Sequence, residues 1–320
     1  MRRVCNILSQ QKIASVRTLE AKISESGLGI KPAPHVISNA LRNLTHLDET
    51  SADEPLVVKM RRNDWPCDMY HLSSTDAVTL RDALTRKIPL EKQWHKRSTG
   101  DALGKQGELI VRQAFEADAK FFVAPAWGNV MRVNGKDIPA RTGPVGSVDG
   151  LVILAHLPPQ NGSAIVEVKN QREWIYPRDP ALWDIIRNGF AVNAVPILFA
   201  RKIYTSSFTY VLYRLGGIGI QMHAQFLPES EMERLKMCKN RIGLGFKDLD
   251  FNETVPKNLQ NSISVIASQI TSSRRQMNRV KETVLPYLDT LADDTSRTSR
   301  LLAYKTVQTL LDQRFGRVNT

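Results

Sequence analysis

The stretch SAIVEVKN, residues 163–170, alternates side chains in the manner of a β-strand, yet carries two opposite charges within an apolar run. Alternate residues of a strand share a face. Ile165, Glu167 and Lys169 therefore point one way, and Val166, Val168 and Asn170 the other. One face continues a core, while the other brings a carboxylate and an ammonium together. Burying either charge alone costs several kcal/mol, so such groups need partners or a metal ion.

The partner is expected in the preceding strand-like segment, SVDGLVILA, which the turn HLPPQNG joins to SAIVEVKN. Pairing through that turn brings Asp149 beside Glu167, and Gly150 permits close approach of backbone or ligand. Two carboxylates at one strand end, with a backbone carbonyl such as that of Val168, suit a hard divalent cation. Mg²⁺ takes oxygen ligands and keeps several waters, and Mn²⁺ can substitute. Lys169 is placed to orient or help deprotonate a water and to stabilise charge on a phosphate. In the helix DALGKQGELIVRQAFEADAK, Glu108 falls at the edge of the apolar arc of Leu103, Gly107, Ile110, Val111, Ala114 and Phe115. From that edge it reaches a metal directly or through water. The bland alternative is a structural salt bridge of Asp149 or Glu167 with Lys169.

Together, Glu108, Asp149 and Glu167-Val168-Lys169 resemble the PD-(D/E)XK nuclease superfamily, the restriction-endonuclease-like fold. The resemblance spans roughly residues 101–225 and includes the order helix, β-meander, helix, strand, helix, strand. It implies an α/β core with a mixed central sheet flanked by helices. It also implies Mg-dependent phosphodiester hydrolysis, with Asp149 and Glu167 as metal ligands, Glu108 assisting, and Lys169 at the water. The family's proline before the Asp is replaced by Val148.

The rest of the chain supplies context. Its 320 residues suffice for two or three domains, and a net charge of +12 favours a polyanionic partner. Residues 1–75 read as three helices and a hairpin. Val4, Ile7 and Leu8 mark the first helix. Ser15 caps the second, with Val16, Leu19 and Ile23 inward. The third begins near Pro34, with Val36, Ile37, Ala40, Leu41 and Leu44 inward. The turn SGLGIKPAP separates the second and third, and PLVVKM and MYHLS form the hairpin. This order resembles a winged helix-turn-helix. The resemblance implies that His35, Ser38, Asn39, Arg42 and Asn43 face DNA from the third helix, with Arg61 and Arg62 on the wing. A helical dimerisation module is the alternative, and two adjacent arginines also suit a solvated turn.

Residues 76–100 read as a basic linker helix ending in EKQWHKRS, residues 101–228 as the α/β domain, and residues 229–320 as a helical region. In that last region Arg274, Arg275, Arg279 and Lys281 form a basic cluster, read as a solvated face, a DNA contact or part of an oligomer. Trp174 and Tyr176 suit base stacking or packing. Asn170 and Gln171 suit substrate contact or a capping role, and Trp183 suits the core.

Other chemistries lack their motifs. The six histidines (His35, His46, His71, His95, His156 and His223) and three cysteines form no zinc-ligand spacing. No phosphate-cradling G-x-x-x-x-G-K-[ST] loop is present. No apolar run approaches the roughly 20 residues of a membrane span, and the N-terminus lacks the pattern of a signal peptide. The reading is a cytoplasmic, nucleoid-associated prokaryotic DNA endonuclease. It would bind duplex DNA, act as a homodimer to cut both strands, and work alone or with a partner protein. Two alternatives stand beside it: a gated RNA or single-strand nuclease, and a non-catalytic DNA-binding protein with a degenerate core.

Overall fold

The structure is a computed structural model that describes residues 1–25, 33–45, 56–94, 100–140, 145–171, 173–240, 244–246, 248–251, 254–293 and 296–316. Most of the turn SGLGIKPAP, the basic stretch HKRST, His46 and His95 lie outside the described residues. The chain divides into two compact units, residues 1–101 with 227–251, and residues 102–226 with 252–320.

The first unit opens with α1 (Arg2–Gln11), β1 (Ala14–Ser15), α2 (Val16–Glu25), α3 (Pro34–Thr45), β2 (Val57–Met60) and β3 (Met69–Leu72). Ser15 caps α2, its Oγ accepting the Thr18 N–H at 3.1 Å. The strands form an antiparallel sheet in the order β1-β3-β2. Val4, Leu8, Leu19, Ile23, Ile37, Leu41 and Leu44 close its core. Val36, expected to face inward, is exposed: it precedes the buried Ile37 and lies off the Ile37–Leu41–Leu44 stripe.

Helix α4 (Ala77–Trp94), expected as a linker, belongs to this first unit. Its Ala83 packs with Ile13 and Met69. Lys87 is buried and donates to Gln11 Oε1 and to the Ile13 carbonyl, and burial pushes its ammonium down to about 7. One of the basic residues of this helix is thus structural. The helix α8 (Met232–Lys239) completes the unit.

The second unit contains α5 (Gly100–Glu116) from its third residue on, β4 (Phe121–Val123), the hairpin β5 (Arg132–Val133) and β6 (Lys136–Asp137), and β7 (Gly150–Leu154). It continues through α6 (Pro159–Gly162), β8 (Ser163–Lys169), α7 (Pro180–Val192), β9 (Val195–Ala200) and β10 (Ile218–Gln221). It ends with the long helices α9 (Lys257–Ala292) and α10 (Arg297–Phe315). The main sheet has the order β10-β9-β8-β7-β4. It is mixed: β4, β7 and β8 pair antiparallel, whereas β8, β9 and β10 run parallel.

The parallel pair needs a crossover, and α7 supplies it. Asp179 caps α7 by accepting the Ala181 N–H at 3.0 Å, and Asn193 ends it with φ 53°. Segment 207–215 is a π turn followed by a 3₁₀ turn rather than a plain α-helix. It stops at Gly216, φ 76°, where a Cβ would sit 2.3 Å from the Ser273 carbonyl.

The two faces of β8 enter different cores. Ala164, Val166 and Val168 pack with Ile110, Val111, Phe115 and the buried stripe of α9. Ile165 packs with Val130, Ile138, Val148 and Ile185. The stripe Leu259, Ile263, Ile266, Ile270, Met277, Val280, Val284 and Leu288 recurs at helical spacing, so α9 is an integral wall of this unit. Trp183 is fully buried, as expected. Arg274 is not on a solvated face. It is buried and donates to the carbonyls of Asn161 (2.8 Å), Asn193 (2.8 Å) and Ser163 (2.9 Å). One guanidinium thus donates to three carbonyls, and Asn134 Nδ2 also donates to that of Asn193 at 3.2 Å.

Candidate functional site

The sheet register builds the site. Gly150 pairs with Val166, so Asp149, one residue before β7, stands opposite Glu167. Its Oδ2 accepts the Val168 N–H at 2.7 Å. Lys169 forms an ion pair with Glu167 on the shared face of β8. Glu108 of α5 lies close enough to feel both Glu167 and Lys169. The four residues singled out in the sequence are therefore gathered at one end of the sheet.

The surroundings disfavour the ionised forms of Asp149 and Glu108. Burial, then the neighbouring Glu167 charge, pushes the Asp149 carboxyl up to about 8, against the Val168 hydrogen bond that favours its ionised form. Burial, then Glu167, also raises Glu108. Among the described residues no three His, Cys, Asp or Glu side chains are drawn together as a ligand group for one ion. The chemistry of the donors does fit a divalent cation. Asp149 and Glu167 offer hard oxygens, and a positive charge between them would relieve the strain that raises Asp149.

Asn170 sets the position of Glu108. Its side-chain amide donates to the carbonyls of Leu103 (2.6 Å) and Phe226 (2.7 Å), and its oxygen accepts the Phe226 N–H at 2.9 Å. Gly107 packs against it, since a Cβ there would lie 2.5 Å from Asn170 Cβ. The buried Asn170 thus staples α5 to the end of β8, one residue from Glu108 on the helix and one from Lys169 on the strand. This is a structural use of a residue that equally suited substrate contact.

Sequence reasoning missed the other wall. The Trp127 ring lies over Gly150, where a Cβ would come within 2.5 Å of it. The glycine beside Asp149 is filled by an indole. Gly128, φ 90°, donates its N–H to the Asp149 carbonyl at 2.6 Å and runs beside the Glu108 carboxyl. The signal available was the Trp-Gly pair in VAPAWGN, which carries no periodicity. Downstream, Asn134 and Gly135, both at positive φ, turn β5 into β6, and Asn134 Nδ2 donates to Ser163 Oγ at 3.0 Å. Trp174 and Tyr176 are half-buried, and Tyr176 packs on Tyr204 with ring centroids 5.3 Å apart.

The remaining candidates belong to the first unit. On α3, His35, Asn39, Arg42 and Asn43 are exposed and Ser38 is half-buried, opposite the buried Ile37, Leu41 and Leu44. Between β2 and β3, Arg61 pairs with Asp68 (3.1 Å), and Arg62 pairs with Asp64 (3.2 Å) and lies over the Trp65 ring.

The chain is a mixed α/β protein, and among its described residues no helix is long and apolar enough to cross a membrane. Known protein families, curated proteins and solved structures yield no match to it.

Proposed function

We propose that the chain is a metal-dependent DNA endonuclease of the PD-(D/E)XK kind, with a winged helix-turn-helix as its DNA reader. The observation that carries this reading is the gathering of Glu108, Asp149 and Glu167 around Lys169, where burial and the Glu167 charge raise the Asp149 and Glu108 carboxyls. The Val168 hydrogen bond gives Asp149 a structural use, and a cation between the carboxylates would in addition offset the charge that burial disfavours.

Asp149 and Glu167, with the Val168 carbonyl, would hold Mg²⁺ or Mn²⁺, and Glu108 would reach it through water. When bound, the ion supplies charge stabilisation at the phosphate and a more acidic water. Lys169 orients that water and offsets charge on the phosphate oxygens. Asn170 and Gly107 keep Glu108 in register with the strand.

The order α1-β1-α2-α3-β2-β3, with the sheet order β1-β3-β2, supports the winged-helix reading. His35, Ser38, Asn39 and Arg42 would read the major groove. Arg61 and Arg62 would exchange exposed ion pairs, each worth about 1 kcal/mol or less, for phosphate. A double-strand cut requires two copies of the site, hence a homodimer, and the biological setting would be restriction, genome defence or mobile-element maintenance.

A non-catalytic DNA-binding protein is the second reading. The Glu167–Lys169 ion pair and the lack of a ligand group among the described residues favour it. The deciding experiment incubates the 320-residue chain with supercoiled plasmid, linear duplex, single-stranded DNA and RNA, in Mg²⁺, Mn²⁺ or EDTA. Metal-dependent duplex cutting is the expected result. Cutting of RNA or single strands alone would change the substrate. Duplex binding without cutting of any substrate would favour the second reading.

A further inference from the structure

A second polar cluster stands along the same sheet edge. Lys169 pairs with Ala200, and Ala200 with Gln221, on three strands that run parallel. The residues just beyond those strands therefore share one end of the sheet. They include Lys202 after β9 and His223 after β10.

Three features set this pair apart. Lys202 is buried, only 6 % exposed, which is rare for a lysine. Its Nζ lies 3.2 Å from His223 Nδ1. With Lys202 as an ammonium, which has donors and no acceptor, Nδ1 accepts and the imidazole proton sits on Nε2, on an exposed residue. His223 also has φ 62°, a conformation that disfavours a side chain, and it is held there by its N–H bond to the Arg201 carbonyl at 3.2 Å. Strained backbone of this kind concentrates at ligand-holding positions.

We propose that Lys202 and His223 form a phosphate-binding subsite for the phosphodiester neighbouring the one at Lys169. One strand spacing sideways and two residues onward put Lys202 about 8 Å from Lys169, within reach of neighbouring phosphates on one strand. Lys202 supplies charge, and His223 supplies an oriented Nε2–H donor. The identity of the polyanion rests on the nuclease reading.

The test is binding of a fluorescent DNA duplex in EDTA over a range of salt concentrations, by the wild-type chain, Lys202→Met, His223→Gly and the exposed control Lys305→Met. The slope of log K against log salt should fall in magnitude by about 1 in Lys202→Met and stay unchanged in the control. His223→Gly should weaken binding about fivefold while melting no lower than wild type, because glycine accepts the positive φ. It also keeps the question open to test should Lys202→Met fail to fold. Wild-type affinity and slope in both variants would overturn the subsite. If those variants also cut plasmid normally, the nuclease reading would survive without it. Absence of duplex binding by the wild-type chain would overturn both.

Discussion

The Asp149 carboxylate takes over the ladder of its own sheet: where the β7–β8 pairing ends at Gly150 and Val166, its Oδ2 accepts the Val168 N–H at 2.7 Å. One side chain thus finishes a strand pair and stands against Glu167. Its placement makes the group both fixed and electrostatically uncomfortable.

That discomfort gives a pH signature. The folded Asp149 carboxyl, at about 8, lies above its ordinary value of 3.8. Its contribution to stability is therefore full below about pH 4 and is lost as pH rises towards 8. Asp149→Asn keeps the acceptor for Val168 and removes the charge. In EDTA at pH 8 it should melt above wild type, by an amount on the order of a few kcal/mol, and the advantage should vanish near pH 4. Thermal melts across that range check this, and a variant less stable than wild type at pH 8 would refute the assigned strain.

Metal should reverse the order. Saturating Mg²⁺ or Mn²⁺ at pH 8 should raise the wild-type melting temperature, with about 2.7 kcal/mol gained at a hundredfold excess over Kd. Asp149→Asn and Glu167→Gln should show little of that gain. Equal shifts in all three proteins would place the ion elsewhere.

Asn170→Ala removes the side-chain partners of the Leu103 and Phe226 carbonyls and of the Phe226 N–H. The expected cost is about 3 kcal/mol. Gly107→Ala should move α5, because its Cβ needs space that Asn170 fills. In Gly107→Ala, cutting should fall more than tenfold in a chain that still folds by circular dichroism. Wild-type cutting would mean that Glu108 is not positioned by this contact.

Arg274→Met removes one donor from each of the carbonyls of Asn161, Ser163 and Asn193, the last of which keeps Asn134 Nδ2. A loss of about 3 kcal/mol in urea unfolding is expected, with no change in DNA affinity. Weakened binding at unchanged stability would instead restore Arg274 to a DNA-facing role.

What could be read from sequence were the local rules. The alternation in SAIVEVKN gave the two faces of β8, Ser15 gave a cap, and the turn HLPPQNG between two strand-like runs brought Asp149 to Glu167. Long-range uses of polar groups stayed hidden. Arg274 sits in a polar helix, and its burial depends on carbonyls more than 80 residues away in sequence. The burial of Lys87 likewise depends on Gln11 and Ile13, more than 70 residues away in sequence. Trp127 over Gly150 leaves no pattern, because a loop has no period. Val36 was misplaced because an apolar residue beside a buried stripe need not join it.

In the proposed function Lys169 acts in metal-assisted phosphodiester cleavage. The most direct measurement is nicking and linearisation of supercoiled plasmid by the wild-type chain and Lys169→Ala, with Mg²⁺ and with EDTA, alongside duplex affinity. Wild type should cut only with Mg²⁺, Lys169→Ala should lose at least a hundredfold, and both should bind the duplex with similar affinity. Equal cutting by the two proteins, or none by wild type while the duplex is bound, would contradict it.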